Sequence, residues 1–241
     1  MRTKDHYEFS LIIPCYNESK NIPNLFNEIK RSQKKRNFEV IIVNNGSVDN
    51  STIVINKNIH KIKNLRLVNI KNNLGFGYGI KKGILKSSSE NICYTHADSQ
   101  IKISACIDAY KLYSSLGGNI YIKSKRIGRP LFDTIFTFFM SIYNSILFQE
   151  KLSDIHSQPN FFKKPTKRII FNAPNDMLID LYFYILFKKK GVIIKRFDVV
   201  FKKRKFGLGN NEGLKKKLSN AFSSLIKSLY ILKVINSGIR L

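Results

Sequence analysis

The chain has no tryptophan and only three cysteines and six prolines in 241 residues. Cys15, Cys93 and Cys106 show none of the short paired spacings that hold zinc, which argues against a cysteine-built metal centre. Cys15 and Cys93 sit in or beside apolar runs, so buried, reduced thiols and a cytoplasmic setting are expected. No window reaches 18 uninterrupted apolar residues, and no transmembrane helix is expected. Residues 1–14 have no apolar stretch long enough for a secretory signal. Acidic residues are scarce: 16 Asp and Glu stand against 42 Lys and Arg, a net charge of +26. Such an excess points to a polyanionic partner, or to AT-rich coding, which also favours Ile and Asn and omits Trp. The clusters Lys188-Lys189-Lys190, Lys202-Lys203-Arg204-Lys205 and Lys215-Lys216-Lys217 crowd into the last quarter, as for a basic face beside an apolar helix.

What is present is ordinary for a globular α/β protein: 43% hydrophobic and 24% charged residues. Residues 9–13, 38–43, 65–70 and 91–95 are short apolar, strand-like runs. Between them, residues 21–31 carry Ile22, Leu25, Phe26 and Ile29 at helical spacing, and residues 52–62 begin as a helix with Ser51 as its cap. Residues 73–83 hold a glycine-rich turn that leads into a helix. Strand-helix alternation with near-continuous apolar strands implies a mainly parallel sheet covered on both faces. Ligands of such sheets bind beyond the carboxyl ends of the strands. Polar segments fall there: Tyr16-Asn17-Glu18, residues 44–49, residues 73–79, and His96 to Gln100.

Residues 131–148 are strongly apolar and aromatic, opened by Pro130, and fit either a buried core helix or an interface helix touching lipid. Residues 177–190 read as a helix stopped by Gly191 and followed by a strand. Residues 214–237 read as a basic amphipathic helix, with Leu218, Phe222, Leu225, Ile226, Leu229 and Leu232 on one face. Two units are therefore expected, a catalytic domain at 1–210 and a basic helical segment at 211–241.

The residues now carry a resemblance. Pro14-Cys15-Tyr16-Asn17-Glu18-Ser19-Lys20-Asn21 resembles the opening motif P-x-Y-N-E-x-x-N of family 2 glycosyltransferases. Val43-Asn44-Asn45-Gly46-Ser47-Val48-Asp49 is similar to V-D-D-G-S-x-D, Asn73-Leu74-Gly75-Phe76-Gly77 to N-x-G-x-G, and His96-Ala97-Asp98-Ser99-Gln100 to D-A-D-x-Q. Ser124-Lys125-Arg126-Ile127-Gly128-Arg129 resembles S-R-x-x-G-R, Asp154-Ile155-His156-Ser157 the acceptor-side D-x-x-S, and Asn175-Asp176 with Asp180, then Arg204-Lys205-Phe206-Gly207, the closing elements. The shared order spans about residues 9–210, and the branch it most resembles is the polyprenyl- and dolichyl-phosphate sugar synthases.

That resemblance implies the type-A glycosyltransferase fold and an inverting transfer from a UDP- or GDP-sugar to a lipid-phosphate or glycan acceptor in cell-envelope glycan synthesis. It implies a divalent cation, Mn²⁺ or Mg²⁺, bound by Asp98 with Gln100 and with His96 where the family has a second Asp; imidazole suits Mn²⁺ better than Mg²⁺. Pro14, Tyr16, Asn17, Glu18, Asn45, Ser47, Asp49, Gly75, Gly77, Ala97, Asp98 and Arg204 are its expected donor-binding residues. Asn45 replaces an Asp that accepts from the base, and Asp49 reads equally as a helix-start cap. Arg126 and Arg129 suit an acceptor phosphate or stand as plain surface cations. Asp98, Asp176 and Asp154 are the catalytic candidates, with Asp176 first and Asp154 second as proton acceptor for a hydroxyl nucleophile; an ionised phosphate needs none. Asp180 reads as a surface carboxylate of its helix, and His156 as incidental or as an orienter of Asp154. Lys81 and Lys82 suit either a phosphate or a solvated helix face, with solvation preferred. Gly209 stands where the family has a Ser.

Two rivals remain from other classes. One is a nucleic-acid-binding module, suggested by charge but opposed by the absence of a known motif and by cations that flank an apolar helix, so no nucleic acid is expected. The other is a degenerate member that binds only nucleotide or membrane, suggested by His96 and Asn45. The apolar segments at 131–148 and 214–237 predict a peripheral protein on the cytoplasmic face of the cell membrane.

Overall fold

Apolar strands in this chain alternate their side chains between two buried layers, which sets the architecture. The computed structural model describes residues 7–207 and 214–236; Gly209 and the side chains of Lys215, Lys216, Lys217 and Leu218 lie outside the described residues. Strand β1 (Ser10–Cys15) pairs in parallel with β2 (Glu39–Asn45) and β4 (Asn91–Tyr94), and β2 with β3 (Leu65–Ile70). Strand β6 (Asn160–Lys163) runs antiparallel to β4 and to β5 (Ile120–Ile127), which pairs in parallel with β7 (Ile193–Val200). The sheet order is β3-β2-β1-β4-β6-β5-β7. Every strand except β6 therefore ends at the same edge, and β6 begins there.

Along β1, Leu11 and Ile13 face one layer and Ile12 the other. The first layer holds α1 (Ile22–Gln33), α2 (Ser51–Asn58) and α4 (Ser104–Leu116), through Leu25, Phe26, Ile55 and Cys106. The second holds α3 (Phe76–Lys86), α6 (Lys167–Asn172) and α7 (Ile179–Lys189), through Ile80, Ile84, Ile170 and the wholly buried run from Ile179 to Phe187. All three cysteines are buried and free. Ser51 is the first helical residue of α2 rather than its cap, because its hydroxyl accepts from the Glu18 N–H at 2.9 Å.

Helix α5 (Leu131–Phe148) and helix α8 (Leu214–Asn236) lie against each other, joined by the Tyr143 hydroxyl donating to the Leu225 carbonyl at 3.3 Å. Among described residues α5 alone is long and apolar enough to cross a membrane, by length and composition, although polar residues interrupt its apolar run. Its buried residues are Ser141, Asn144 and Phe148, while Phe138 and Phe139 are 61% and 63% exposed. The helix is thus amphipathic the wrong way round for a protein in water. Its inward hydroxyl and amide groups donate to carbonyls one turn back within the helix.

The loop before α3 packs against the loop before α7 at backbone distance. A Cβ on Gly77 would lie 2.4 Å from the Pro174 carbonyl oxygen and 2.6 Å from that of Asp176. One on Gly75, whose φ is +97°, would lie 2.4 Å from the Asn175 carbonyl oxygen. Only glycine fits both positions. Replacing Gly77 by Ala is expected to cost about 1–3 kcal/mol of stability through this overlap. Urea unfolding checks this, and an unchanged midpoint would show that the two loops separate freely.

Candidate active site

The residues singled out at the strand ends converge on the edge where six strands finish. The loop after β1 is stitched to the loop after β2. Asn17 N–H donates to Ser47 Oγ at 3.0 Å, and Asn17 Oδ1 accepts from the Val48 N–H at 2.9 Å. Asp49 accepts from the N–H groups of Ser19 and Ser51, at 3.1 and 2.9 Å. Burial pushes the Asp49 carboxyl up, but these hydrogen bonds outweigh it and hold it below its ordinary value. Asn17, Ser47 and Asp49 thus spend their polar groups on building the loop pair. Tyr16 stands exposed above it and offers a ring face for a base.

Asn45 is buried, and its amide NH₂ donates to Asn73 Oδ1 at 3.1 Å and to the Gly75 carbonyl at 2.9 Å. The amide ties the β2 end to the glycine turn. Gly75 and Gly77 permit close approach of the loop at 174–176. Lys81, expected in solvent, donates to the Ala173 carbonyl at 2.7 Å and braces the same loop.

The box after β4 forms the centre. Asp98 Oδ1 accepts from the Gln100 N–H at 3.0 Å, and Oδ2 lies 3.7 Å from Arg204 Nη1. The other face of the Arg204 guanidinium meets Glu18 Oε1, and Gln100 Nε2 donates to the Lys202 carbonyl at 2.9 Å. The chain after β7 is thereby folded down onto the box. Burial pushes the Glu18 carboxyl up, against the lowering pull of Asn21 and Arg204. His96 packs against Phe76 with the rings tilted by 34° and centroids 4.8 Å apart. Burial holds its imidazole below the ordinary value, against the pull of Asp98 and Asp180, so the ring is neutral near pH 7 with a lone pair to give. Asn17, Ser99 and Asp154, in three of the loops at this edge, hold left-handed backbone at φ 55°, 58° and 40°.

No group of three or more His, Cys, Asp or Glu suited to a metal occurs among the described residues. One carboxylate and one neutral imidazole fit a cation that arrives with a diphosphate and takes most of its oxygens from it and from water. They do not fit a resident, protein-caged ion.

On the other flank, Asp154 accepts from the Arg126 N–H at 2.8 Å and from its Nε at 2.9 Å, with Arg129 at 3.9 Å. Burial raises the Asp154 carboxyl, yet Arg126 outweighs it and the group stays below its ordinary value. Asp154 is thus a poor proton acceptor and a firm anchor for two arginines. Asp176 pairs with Lys227 of α8 at 2.7 Å. Asp180 corrects the sequence reading most. It is 0% exposed, because the run from Ile179 to Phe187 of α7 is buried on all sides. His156 faces Asp180 at 3.4 Å, not Asp154.

Beneath lies a buried polar group that sequence reasoning missed. Lys123 donates to Asn160 Oδ1 at 3.0 Å and to the Ser157 carbonyl at 3.1 Å, while the Tyr94 hydroxyl donates to Asp180 Oδ1 at 2.6 Å. A lysine directly after the apolar run Ile120-Tyr121-Ile122 was the available signal.

An α/β sheet with its polar loops gathered at one edge around a carboxylate box is the arrangement that the sequence motifs implied. Residues 10–156, more than half of the chain, match the family model described as Glycosyl transferase family 2, and the chain belongs to that family. A dolichyl-phosphate beta-glucosyltransferase of Trichomonas vaginalis is 33% identical over 102 residues, 39% of this chain and 31% of the relative. The human dolichyl-phosphate beta-glucosyltransferase is 32% identical over 104 residues, 39% of this chain and 32% of the relative. The chain therefore aligns with about a third of the length of these relatives. Glucosyl-3-phosphoglycerate synthase of Mycobacterium tuberculosis, solved with Mn²⁺, uridine diphosphate and glucosyl-3-phosphoglycerate, superposes with a TM-score of 0.68 at 14% identity. That match covers 94% of this chain and 80% of the other, and it shows the type-A fold expected from the sequence.

The buried lysine gives a pH prediction. Burial lowers Lys123 from 10.5 to about 7. Between those values the unfolded chain binds the extra proton, so unfolding free energy rises with pH by at most about 1.4 kcal/mol per unit from this group. The penalty is full below about 7 and gone above 10.5. Urea unfolding from pH 7 to 9 is expected to show a rising component that Lys123→Met removes. Parallel pH profiles for the two proteins would contradict it.

Proposed function

We propose that the chain moves a sugar, with inversion, from a UDP- or GDP-sugar to a polyprenyl-phosphate or glycan acceptor in cell-envelope glycan synthesis, and that a phosphate acceptor fits the site better than a hydroxyl. The observation that carries this is the cluster of Asp98, Arg204 and Glu18 at the carboxyl edge. Asp98 and His96 would hold the cation, Mn²⁺ or Mg²⁺, which would offset charge on the departing nucleotide diphosphate. Arg204 moves from Glu18 and Asp98 onto the diphosphate, where a guanidinium is matched by more negative charge. Tyr16 stacks on the base.

The acceptor side supports a phosphate. Asp154 is committed to Arg126, which holds its carboxyl below the ordinary value and makes it a poor proton acceptor. An ionised phosphate oxygen attacks the anomeric carbon without one. Arg126 and Arg129 lie beside α5, the helix whose aromatics face outward. A lipid tail lying on that helix would bring its phosphate to these arginines. We therefore place the protein at a membrane surface on the cytoplasmic side, with residues 1–210 as the transferase unit and 211–241 as a basic membrane-facing segment.

Transfer assayed with UDP- and GDP-sugars, Mn²⁺ or Mg²⁺, and a short polyprenyl phosphate is expected to yield the lipid-linked sugar. In Asp98→Ala turnover should fall by about 100-fold or more with the melting temperature unchanged. No turnover from any donor would favour a degenerate, binding-only protein. For the membrane, sedimentation with anionic vesicles is expected to deplete the wild type and to leave Phe138→Ser/Phe139→Ser in the supernatant at matched salt; equal depletion would remove α5 from the interface.

A further inference from the structure

The charged side chains on the acceptor flank depend on one short turn. Residues 154–157 close it, with the Ser157 N–H donating to the Asp154 carbonyl at 3.1 Å. Asp154 holds left-handed backbone there, at φ 40°, an uncommon conformation that persists where the surroundings hold it. Its carboxylate accepts from the Arg126 N–H at 2.8 Å and from Arg126 Nε at 2.9 Å, and Arg129 Nη1 lies 3.9 Å away. Both guanidinium groups also lie over the Phe201 ring, 5.5 and 5.9 Å from its centroid. The two arginines therefore share one carboxylate and one ring, and the turn fixes the carboxylate.

What grips the turn is Arg196 of β7, the register partner of Lys123 on β5. Arg196 Nη1 donates to the Ser153 carbonyl at 2.5 Å and to Ser153 Oγ at 2.8 Å, with the Tyr184 hydroxyl at 3.4 Å. Arg196 Nη2 donates to the Ser124 carbonyl at 2.6 Å and to Ser157 Oγ at 3.3 Å. Ser157 Oγ donates in turn to the Ser124 carbonyl at 2.5 Å, and Lys123 Nζ to the Ser157 carbonyl at 3.1 Å. One planar fork thus joins the residue before Asp154, the residue that closes the turn, and the strand that carries Arg126. Each of these acceptors is a carbonyl or a hydroxyl, so the guanidinium is spent on geometry and not on pairing with a carboxylate. Two terminal nitrogens at a fixed separation can span both ends of the turn, whereas a lysine ammonium is a single point.

We infer that Arg196 is a positioning residue for the acceptor site: by clamping residues 153–157 it sets Asp154, and through Asp154 it sets Arg126 and Arg129. The inference rests on the reading of those two arginines as the acceptor-phosphate site. Arg196 itself does not touch the phosphate.

Farnesyl phosphate is titrated into the full chain as wild type, Arg196→Met, Arg196→Lys, Asp154→Asn, and each Arg196 variant combined with Asp154→Asn. Nucleotide binding is read in parallel from the rise in melting temperature with UDP or GDP and Mn²⁺. Arg196→Met should weaken farnesyl phosphate by about ten-fold or more, and Arg196→Lys, which keeps the charge but not the fork, by a similar factor. In the Asp154→Asn background either Arg196 change should add less than about two-fold, because the link through which it acts is already cut. The nucleotide response should be the same in all of these proteins. In turnover, KM for the lipid phosphate should rise in Arg196→Lys while KM for the donor stays unchanged. Should Arg196→Met fail to fold, Arg196→Lys carries the same cycle.

Losses that add in full in the double variants would overturn the inference, since Arg196 would then act without Asp154. Full affinity in Arg196→Lys would overturn it too, by showing that charge alone matters, and so would an equal loss of nucleotide binding, the mark of general loosening. A wild type that does not bind farnesyl phosphate would overturn the phosphate reading of Arg126 and Arg129, and the inference with it. A wild type that binds, with Arg196→Met and Arg196→Lys binding equally well, would overturn the inference alone.

Discussion

Six strands that end at one edge leave the chain a single place for chemistry. The ladders between them use up the backbone groups, and their side chains fill two apolar layers. The polar side chains singled out from distant parts of the sequence gather where the strands stop. Glu18, Asn45, Asp98, Arg126 and Arg204 meet there for that reason. The reversed strand β6 adds to the edge rather than leaving it, because its beginning carries the segment with Asp154 and His156.

The edge has two levels. The lower one is protein holding protein: Asn17 to Ser47, Asp49 to Ser19, Asn45 to the glycine turn, Lys81 to Ala173. The upper one is charge held in reserve: Arg204 between Glu18 and Asp98, Arg126 on Asp154, Lys227 on Asp176. The pairs of Arg204 with Glu18 and of Arg126 with Asp154 are largely buried, and a more highly charged phosphate would compete with each carboxylate for its guanidinium. Stability and function are thus divided between different residues of the same motifs.

Much of this was legible in the sequence. The first four strands, the order of the polar segments and the family all follow from motif spacing and apolar runs. Strands β5 and β6 and helices α4 and α6 were less visible, because β6 is only four residues long and α4 lies between segments without a motif. Asn45 and Asp49 were ambiguous in kind, since an amide or carboxylate that binds a ligand is chemically the same as one that binds a loop. Asp180 was misread because the run from Ile179 to Phe187 of α7 is buried on all sides and offers no polar face from which to judge orientation. Helix α5 was left open between core and interface, and its outward phenylalanines with inward serine and asparagine favour the interface.

The central claim is that Asp98 marks the place where a nucleotide diphosphate and its cation are held together. Calorimetric titration of UDP and GDP, with and without Mn²⁺, into the wild type and Asp98→Ala tests it directly. One nucleotide is expected to bind more tightly when Mn²⁺ is present, and Asp98→Ala should lose that gain while keeping weak metal-free binding. Identical affinities with and without the metal in both proteins would contradict the account.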